Sequence, residues 1–515
     1  MDTKEIFLTK AEVYKPSLCR KETAPIAMIA PFMGASDWEY KKICDAAELS
    51  SMVLGKGDKI CLDFGDHQVG YLHFTITPKE GLPDAPAYIK LKFGERICEI
   101  AEKFSQSDVS AATSISSSWI QEESIHIDIL PQRISLPRRY AFRFMEIEVL
   151  DTSPYYKITI DNVLCESVSA VDMDTIKPCG GIDSTLDKID SISIKTMAEC
   201  AQDVFEDGPK RDRRLWIGDL RLEALADYET FQNYDLVKRC MYLFAGTANE
   251  DGQVGSCLYV QPQPVADRIY LFDYTLLYVC CLYDYYMETK DMPFLKELWD
   301  TAYRQIEIAL QRVDENGLLP DSKDWDCFID WNPNLNKQAS AQGVLIYTLK
   351  RAKELANILG DTARAEESDR LIRRLSDSAL QFLWDETSGF FRSGDQRQIS
   401  WASQIWLVLA EILDPQQNAA LLKRLMKTNP KINMVTPYLH HYFVEALLAS
   451  GLKEEAFLHI KNYWGGMVKE GADCFYEIYD PQNPLSSPYG TRAKNSYCHA
   501  WSSTPCYFIR KYLDK

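Results

Sequence analysis

The residues best suited to chemistry lie in one short segment, Glu206 to Asp219, with the sequence EDGPKRDRRLWIGD. Four carboxylates, four basic side chains and one tryptophan fall within these fourteen positions. Gly208, Pro209 and Gly218 exclude one regular helix, whereas the residues that follow, 220–231, keep the apolar spacing of a helix. The segment therefore predicts a shaped loop that brings acids to a helix N-terminus, and acids beside a tryptophan suit a sugar-cleaving site.

Two further segments combine carboxylates with large aromatic side chains. Residues 321–333 contain Asp330 and Trp331, and a tryptophan face beside a carboxylate suits the apolar C–H face and hydroxyl rim of a sugar. Solvated turn residues are the alternative for this pair. Glu477 lies among four large apolar residues, which disfavour ionisation unless a partner compensates. It is either a proton handler or a buried residue paired with an arginine, and two carboxylates that meet across a cavity can catalyse glycoside hydrolysis.

Two periodicities divide the elements that must position these residues. Up to residue 170, segments such as AYIKLKFG, SIHIDIL and YKITIDNVL alternate with period two, which is typical of half-buried antiparallel strands. This pattern predicts a β-sandwich over residues 1–170, with a β-barrel left open. Residues 171–190 are rich in small and turn-forming residues and predict a linker. Helical spacing over residues 191–515 predicts about twelve helices, arranged as six hairpins in an (α/α)6 barrel.

The charge of the chain limits its partners. Its 515 residues include 75 acidic and 57 basic residues, a net charge of -18. Such a chain repels nucleic acid and anionic membrane surfaces, so neither is predicted as a partner. The sequence leaves a homo-oligomer open.

The cysteines and histidines do not form a sequence motif for metal or disulfide chemistry. Fifteen cysteines occur without a CxxC pair, and seven histidines without the spacing of a zinc site. The sequence therefore predicts no disulfide framework, no metal and no cofactor. The amino-terminal residues carry charges where a signal peptide needs an apolar stretch, which predicts a cytoplasmic protein.

The first segment resembles the signature of the α-L-rhamnosidases of glycoside hydrolase family 78, which runs approximately D-C-P-Q-R-E-R-L-G-W-T-G-D. Residues 207–219 match its length and most of its fixed points. The resemblance continues in FIDW, in VTPYLHHYFVEALLASG, around Glu477 and in NSYCHAWSS. It covers the helical part of the chain, and the strand-rich part is compatible with the β-sandwich that precedes the barrel in this family. The chain thus resembles a compact bacterial-type member.

The resemblance implies an inverting exo-glycosidase that removes terminal α-L-rhamnose without a cofactor. Asp212 replaces the family's acid glutamate and has a side chain shorter by roughly 1.5 Å, with Glu206 as the weaker alternative. Glu477 is implied to be the general base. The remaining implied roles are Asp207 and Asp219 holding sugar hydroxyls, Arg211 and Trp216 shaping the pocket, and His499 lining it. Asp330 and Trp331, selected above from their residue types, complete the predicted substrate-binding set.

Other interpretations of the same residues remain. Asp219 can cap the helix that follows it and Asp207 can serve the turn, but the further matching segments in family order favour a site. A barrel glycosidase for another sugar is one alternative function, because fold does not fix substrate. A catalytically inactive carbohydrate-binding homologue is another, because an aspartate replaces the expected acid.

Two smaller expectations complete the sequence analysis. The basic cluster formed by Lys210, Arg211, Arg213 and Arg214 predicts a surface that accepts a uronate beside the rhamnose. Only 16 residues follow His499, which leaves no room for the β-rich module often found after the barrel in this family.

Overall fold

The computed structural model of the chain describes residues 3–102, 116–177, 179–181, 183–321 and 325–513. All nine candidate site residues lie within these ranges. A β-rich part comes first and a large helical part follows, as the two periodicities predicted.

The β-rich part is one antiparallel sheet of nine strands, with the path β1-β9-β4-β8-β5-β6. Strand β2 pairs with β3 and β4, and β7 pairs with β4. The strands are β1 (Cys19–Thr23), β2 (Ala27–Met33), β3 (Trp38–Asp45), β4 (Lys59–Lys79), β5 (Ala87–Gly94), β6 (Glu122–Ile127), β7 (Gln132–Ser135), β8 (Tyr140–Asp151) and β9 (Lys157–Ser169). Helices α1 (Thr3–Val13) and α2 (Ile97–Ala101) and the short 3-10 helices Ala46–Ser51 and Ser117–Trp119 accompany them.

Strand β4 changes partners along its 21 residues. Its first half pairs with β2 and β8, and its second half pairs with β7 and β9. The register with β8 shifts between Asp63 and Gln68, and Gly65 in this interval has a φ of +81°. A glycine with positive φ at a register shift marks a bend in the strand, and this bend brings His67 toward the helical part.

Within the strands of the sheet, the burial of the side chains follows the predicted alternation. Ile89, Leu91 and Phe93 of β5 are buried, as are Tyr156, Ile158 and Ile160 around the start of β9. The alternation of the segment SIHIDIL predicted that Ile129 is an inward-facing strand residue, and this was wrong: β6 ends at Ile127, and Ile129 lies beyond the strand with 72% of its surface exposed.

The helical part begins at Ser184, where the Asp183 side chain accepts hydrogen bonds from the amides of residues 185 and 186. Its helices are α3 (Ser184–Cys200), α4 (Ile217–Tyr228), α5 (Tyr234–Gly246), α6 (Phe272–Thr289), α7 (Met292–Leu310), α8 (Gln338–Leu359), α9 (Thr362–Ser378), α10 (Trp401–Leu409), α11 (Pro415–Thr428), α12 (Pro437–Ala449), α13 (Lys453–Lys469) and α14 (Pro505–Tyr512). Short elements between them are β10 (Leu215–Trp216), β11 (Cys257–Tyr259), β12 (Val265–Ala266), β13 (Trp384–Asp385), β14 (Phe390–Phe391), the π-helix Ala379–Leu383 and the 3-10 helices Arg492–Lys494 and Ala500–Ser502. The 3-10 helix Met173–Thr175 precedes α3.

Helices that are buried on most sides alternate along the chain with helices that bury one face. All twelve residues of α4 and all nine of α10 are buried, and seven of the nine residues of α10, WASQIWLVL, are apolar. Helix α9, TARAEESDRLIRRLSDS, buries only a stripe, because its charges need solvent on the other faces.

The mostly buried helices contact one another in chain order. Helix α4 contacts α6, α6 contacts α8, α8 contacts α10, and α10 contacts α12. Helix α12 contacts the 3-10 helix Ala500–Ser502, and α14 contacts α4 again. Helix α1 also belongs to this packing, because its buried Phe7 and Ala11 join the core of the helical part. No described helix combines the length and apolarity needed to cross a bilayer.

Candidate active site

A cavity of about 830 Å³ opens at the N-terminal end of α4. Its wall is built from chain segments that lie far apart in sequence, and it brings together the nine candidate site residues of the sequence analysis. These are Asp207, Arg211, Asp212, Trp216, Asp219, Asp330, Trp331, Glu477 and His499.

The loop before α4 is shaped by the carboxylate of Asp207. Its two oxygens accept hydrogen bonds from the backbone amides of Asp212 and Arg214, at 3.2 and 3.1 Å. Between these residues, Arg213 adopts a φ of +60°, a conformation that non-glycine residues adopt mainly where the surroundings impose it. The backbone oxygen of Asp207 also accepts a hydrogen bond of 2.8 Å from the amide of Ala500. Asp207 therefore fixes the loop and ties it to the segment that carries His499.

The guanidinium of Arg211 lies between the two carboxylates proposed for catalysis. Its Nη1 is 3.7 Å from Oδ1 of Asp212, and its Nη2 forms an ion pair with Oε2 of Glu477. Its Nε donates to the backbone oxygen of Lys494. Arg211 is almost completely buried, so one fixed cation orients both acids.

Glu477 is a buried carboxylate whose surroundings favour the charged form. Tyr489 donates its hydroxyl to Oε1, and the amide of Ser496 lies 3.4 Å from Oε2. Burial opposes ionisation, but Arg211, His499 and these hydrogen bonds outweigh it and lower the pKa of Glu477 below its usual value. The sequence left open whether Glu477 handles a proton or is a buried residue paired with an arginine. Glu477 has the arginine partner, and it also faces the cavity.

Asp219 and His499 form a second polar group in the cavity wall. Oδ1 of Asp219 is 3.2 Å from Nε2 of His499. Burial lowers the pKa of His499, but Asp219 and Glu477 outweigh this effect and the pKa is raised overall. Neither His499 nitrogen, nor Oδ1 of Asp219, makes a hydrogen bond of good geometry within the described residues. These buried atoms remain available to hydroxyl groups of a ligand.

Asp330 faces the cavity and also fastens the start of α12. It accepts hydrogen bonds from the amides of Val435 and Thr436 at 2.8 and 3.0 Å, and from the Thr436 hydroxyl at 2.7 Å. Burial nevertheless raises the pKa of Asp330 to about 6, against the effect of these bonds. Its neighbour Trp331 is 39% exposed, so its ring can meet a ligand.

Aromatic rings form much of the remaining wall. Trp216 packs edge-on against Tyr274 with ring centroids 6.1 Å apart. Gly218 permits this arrangement, because a Cβ there would lie 2.4 Å from a ring carbon of Tyr274. The aromatic residues that sequence reasoning did not assign to the site are Trp119, Tyr259, Tyr274, Phe328, Tyr489 and Trp501.

The expectation of a single basic surface was wrong. Lys210 is buried and lies 3.1 Å from Glu95 in the β-rich part, and Arg213 donates to the backbone oxygens of Pro209 and Arg139. Of these four side chains, only Arg211 and Arg214 line the cavity, and Arg214 lies 3.4 Å from Asp267. The four side chains separate because successive residues of a tight loop point in different directions.

The alternative acid, Glu206, faces away from the cavity lining. Its Oε2 lies 2.5 Å from Nη2 of Arg139, in a largely buried pair that joins the two parts of the chain. Asp212, by contrast, lines the cavity. This geometry favours Asp212 over Glu206 as the acid.

Two family models match the chain. Residues 27–167 match the glycosyl hydrolase family 78 alpha-rhamnosidase N-terminal domain. Residues 181–513 match the bacterial alpha-L-rhamnosidase 6 hairpin glycosidase domain. No curated protein matches the chain.

Solved structures are similar over nearly the whole chain. A rhamnosidase from Klebsiella oxytoca with rhamnose bound is 45% identical, with a TM-score of 0.96, and the match covers 99% of this chain and 98% of that one. A family 78 rhamnosidase of Bacillus sp. GL1 is 20% identical, with a TM-score of 0.75, over 92% of this chain and 49% of that one. A Streptomyces avermitilis alpha-L-rhamnosidase complexed with L-rhamnose is 14% identical, with a TM-score of 0.66, over 96% of this chain and 44% of that one. The last two likenesses concern the fold alone, and this chain spans about half of those larger chains.

Proposed function

Because this chain belongs to glycoside hydrolase family 78, we propose that it hydrolyses terminal α-L-rhamnosides with inversion of configuration. The observation that carries this proposal is the position of Asp212 and Glu477 on either side of one buried guanidinium, in the wall of one cavity. The likeness to a rhamnosidase that holds rhamnose, at 45% identity over 99% of the chain, supports rhamnose as the sugar.

Glu477 is the general base of the proposed reaction. Its lowered pKa keeps it ionised near neutral pH, so it can accept a proton from the water that attacks the anomeric carbon. Tyr489 and Arg211 hold its two oxygens, which orients the carboxylate toward that water. A base fixed in this way needs little reorganisation during the reaction.

Asp212 is the general acid of the proposed reaction. It must carry a proton in the complex with substrate and give it to the departing glycosidic oxygen. Asp207 bonds to its backbone amide, which sets where the short side chain points. An inverting enzyme leaves about 6.5–9.5 Å between the two carboxyl groups for sugar and water.

Polar atoms of the wall recognise the sugar. Oδ1 of Asp219 and Nε2 of His499 face each other at 3.2 Å without a hydrogen bond of good geometry, and Nδ1 of His499 has no hydrogen-bond partner among the described residues, so these buried atoms can bond hydroxyl groups. The exposed ring of Trp331 offers an apolar face. The cavity lining also has seven acidic residues and only three lysines or arginines. A neutral sugar rather than a uronate fits this charge.

The finer architecture is part of the proposal. A closed ring of six helical hairpins accounts for the alternation of buried and one-faced helices and for the contacts between successive buried helices. The family description of a six-hairpin domain supports this arrangement. A β-sandwich for the first part is supported by the bend of β4, which lets one strand serve two layers. The limits at residues 170 and 190 remain a prediction.

A panel of aryl glycosides tests the proposed function against its alternatives. Aryl α-L-rhamnoside is expected to release rhamnose without added metal or cofactor. Cleavage of other aryl glycosides but not the rhamnoside would indicate a glycosidase for another sugar. Binding of rhamnose without turnover would indicate the inactive carbohydrate-binding homologue.

The proposed location is the cytoplasm. None of the fifteen cysteines, all within the described residues, is in a disulfide, and most are buried. Thiols in this number fit a reducing compartment. Fractionation of the native host would test the location, and recovery of the enzyme outside the cell would contradict it.

A further inference from the structure

Four possible metal ligands converge where the β-rich and helical parts meet. They are His67 at the bend of β4, Glu199 near the end of α3, and the thiols of Cys474 and Cys498, and we call them the junction cluster. Their ligand atoms all lie within 4.8 Å of one another. Both Sγ atoms lie near the same oxygen of Glu199, Oε2, at 3.6 and 3.9 Å. Nδ1 of His67 contacts that oxygen too.

A second layer of contacts fixes the orientation of these ligands. Nε2 of His67 is 3.3 Å from Oε1 of Glu95, so the nitrogen that faces away from the junction cluster has a carboxylate partner. The other oxygen of Glu199 is 2.8 Å from Nζ of Lys195. Carboxylates behind ligating histidines are typical of metal centres, where they set the tautomer and strengthen the ligand.

We propose that the junction cluster binds one Zn²⁺ ion through His67, Glu199, Cys474 and Cys498. Thiolate, imidazole and carboxylate are the ligands that Zn²⁺ takes in proteins, and four protein ligands are typical of a structural site. Both thiols would lose their protons to solvent on binding, and the ion would replace the proton between His67 and Glu199. Two thiolates and one carboxylate exceed the charge of the ion by one, and Lys195 compensates this excess.

The alternative to a metal site is an ion-pair network, and it explains the contacts of the junction cluster less completely. His67, Glu199 and Lys195 satisfy one another electrostatically, but this does not explain why two thiols approach the same carboxylate oxygen. Buried thiols usually pack as small apolar groups, and Cys200, Cys474 and Cys498 share one buried cluster. Cys474 and Cys498, however, also contact Oε2 of Glu199. The sequence predicted no metal because the ligands are far apart in the chain and follow no short motif.

The position of the junction cluster suggests what the ion does. Cys474 lies three residues before Glu477, and Cys498 directly precedes His499. The two segments are joined by backbone hydrogen bonds, from His499 to Phe475 at 2.9 Å and from Glu477 to Ser496 at 3.0 Å. The ion would brace these segments against both parts of the chain, as a structural site outside the cavity.

Metal content tests this proposal without reference to hydrolysis. The full chain, produced in zinc-supplemented medium and desalted, is expected to retain about one zinc ion per chain. The zinc content of the double variant Cys474→Ala/Cys498→Ala is expected to be lower by about tenfold or more. Cys240→Ala removes a buried thiol of α5 and should leave the zinc content unchanged. Wild-type chain without stoichiometric zinc, or equal zinc in the double variant, would overturn the proposal.

Cobalt gives a second measurement that does not depend on how the variants fold. Production in cobalt-supplemented medium is expected to give wild-type chain with the visible bands of tetrahedral Co²⁺ and near-ultraviolet thiolate-to-cobalt charge transfer. Wild-type chain with neither feature would also overturn the proposal. Because neither readout involves rhamnose, the zinc site and the proposed function can fail independently.

Discussion

At the scale of single residues, the buried Arg211 guanidinium organises the proposed chemistry. It pairs with Glu477 and lies close to Asp212, and its charge favours the ionised form of a base that burial alone would neutralise. Removing either carboxylate should therefore abolish turnover without removing the pocket.

Asp212→Asn and Glu477→Gln are each expected to lower kcat on an aryl α-L-rhamnoside by on the order of 10²–10⁴-fold or more, because general acid or base catalysis contributes this much. Circular dichroism should show an intact fold. Substrates with different leaving groups distinguish the role of the acid from the role of the base. The loss of the acid should matter less for an activated dinitrophenyl rhamnoside, which needs little protonation, whereas the loss of the base should matter equally for both substrates.

The matched control for Asp212 is Glu206→Gln. Glu206 pairs with Arg139 and does not line the cavity, so this variant should keep the wild-type kcat even if it is less stable. If Glu206→Gln lost turnover and Asp212→Asn kept its activity, Glu206 rather than Asp212 would be the general acid.

Arg211 should control the pH dependence. The general base must be ionised, so kcat/KM falls as the pH drops through the pKa of Glu477. Arg211 helps to hold this pKa low, and Arg211→Met is expected to raise it and move the acid limb of the kcat/KM profile to higher pH. Arg211→Lys keeps a positive charge and should move the limb less. An unmoved limb in Arg211→Met would show that Glu477 is not the titrating base.

The site residues could be predicted where chemistry leaves a pattern in sequence. The gapless motif, the carboxylate beside Trp331 and the further segments that resemble the family selected nine residues, and all nine line the cavity. Tyr489 and Trp119 were missed because a lone aromatic residue carries no such pattern. The direction of each basic side chain was also beyond sequence reasoning, because the turn that separates Lys210 from Arg211 depends on contacts with Asp207.

At the scale of elements, the junction of the loop with α4 positions the acids and the aromatic wall. Trp216 ends the loop, Ile217 starts the helix, and Asp219 lies in the first turn, where the helix dipole favours a negative charge. The close approach of Tyr274 to Gly218 fits these pieces together.

Gly218→Ala is expected to destabilise the chain by roughly 1–3 kcal/mol, because the added Cβ overlaps the Tyr274 ring and forces a shift. KM should rise, since Trp216 packs on the same ring. Urea denaturation and steady-state kinetics measure the two effects. The control is Gly180→Ala, where nothing lies within 4 Å of the added Cβ, and equal behaviour of the two variants would contradict this packing.

Element prediction succeeded where a single periodicity runs through a segment. The helical spacing of residues 437–448 corresponds to α12, Pro437–Ala449, and the helical spacing of residues 343–359 corresponds to α8, which extends back to Gln338. Strand ends were less predictable: the alternation of residues 125–129 continues in sequence beyond the last paired residue, Ile127. Pairing depends on a partner strand, which the local pattern does not contain.

At the scale of the whole molecule, buried ion pairs join the β-rich and helical parts. Lys210 from the loop before α4 lies between Glu95 and Glu99 of the β-rich part. The Arg139 pair with Glu206 adds a second connection. The loop that carries Asp212 is thus held from both sides, which predicts that the two parts unfold together.

Lys210→Met should lower the free energy of unfolding by about 3–5 kcal/mol, because it leaves buried carboxylates without their partner. Lys21→Met is the control. Its ion pair with Asp174 joins side chains that are 74% and 78% exposed, so no measurable change is expected. Urea unfolding followed by tryptophan fluorescence compares the two, and equal stability of both variants would contradict the role of Lys210.

The most direct test of the central claim is the anomeric configuration of the first sugar released, followed by proton NMR during hydrolysis of an aryl α-L-rhamnoside. Opposed acid and base catalysis by Asp212 and Glu477 predicts that β-L-rhamnose appears first and then mutarotates. Release of α-L-rhamnose first, or of no rhamnose at all, would contradict the account.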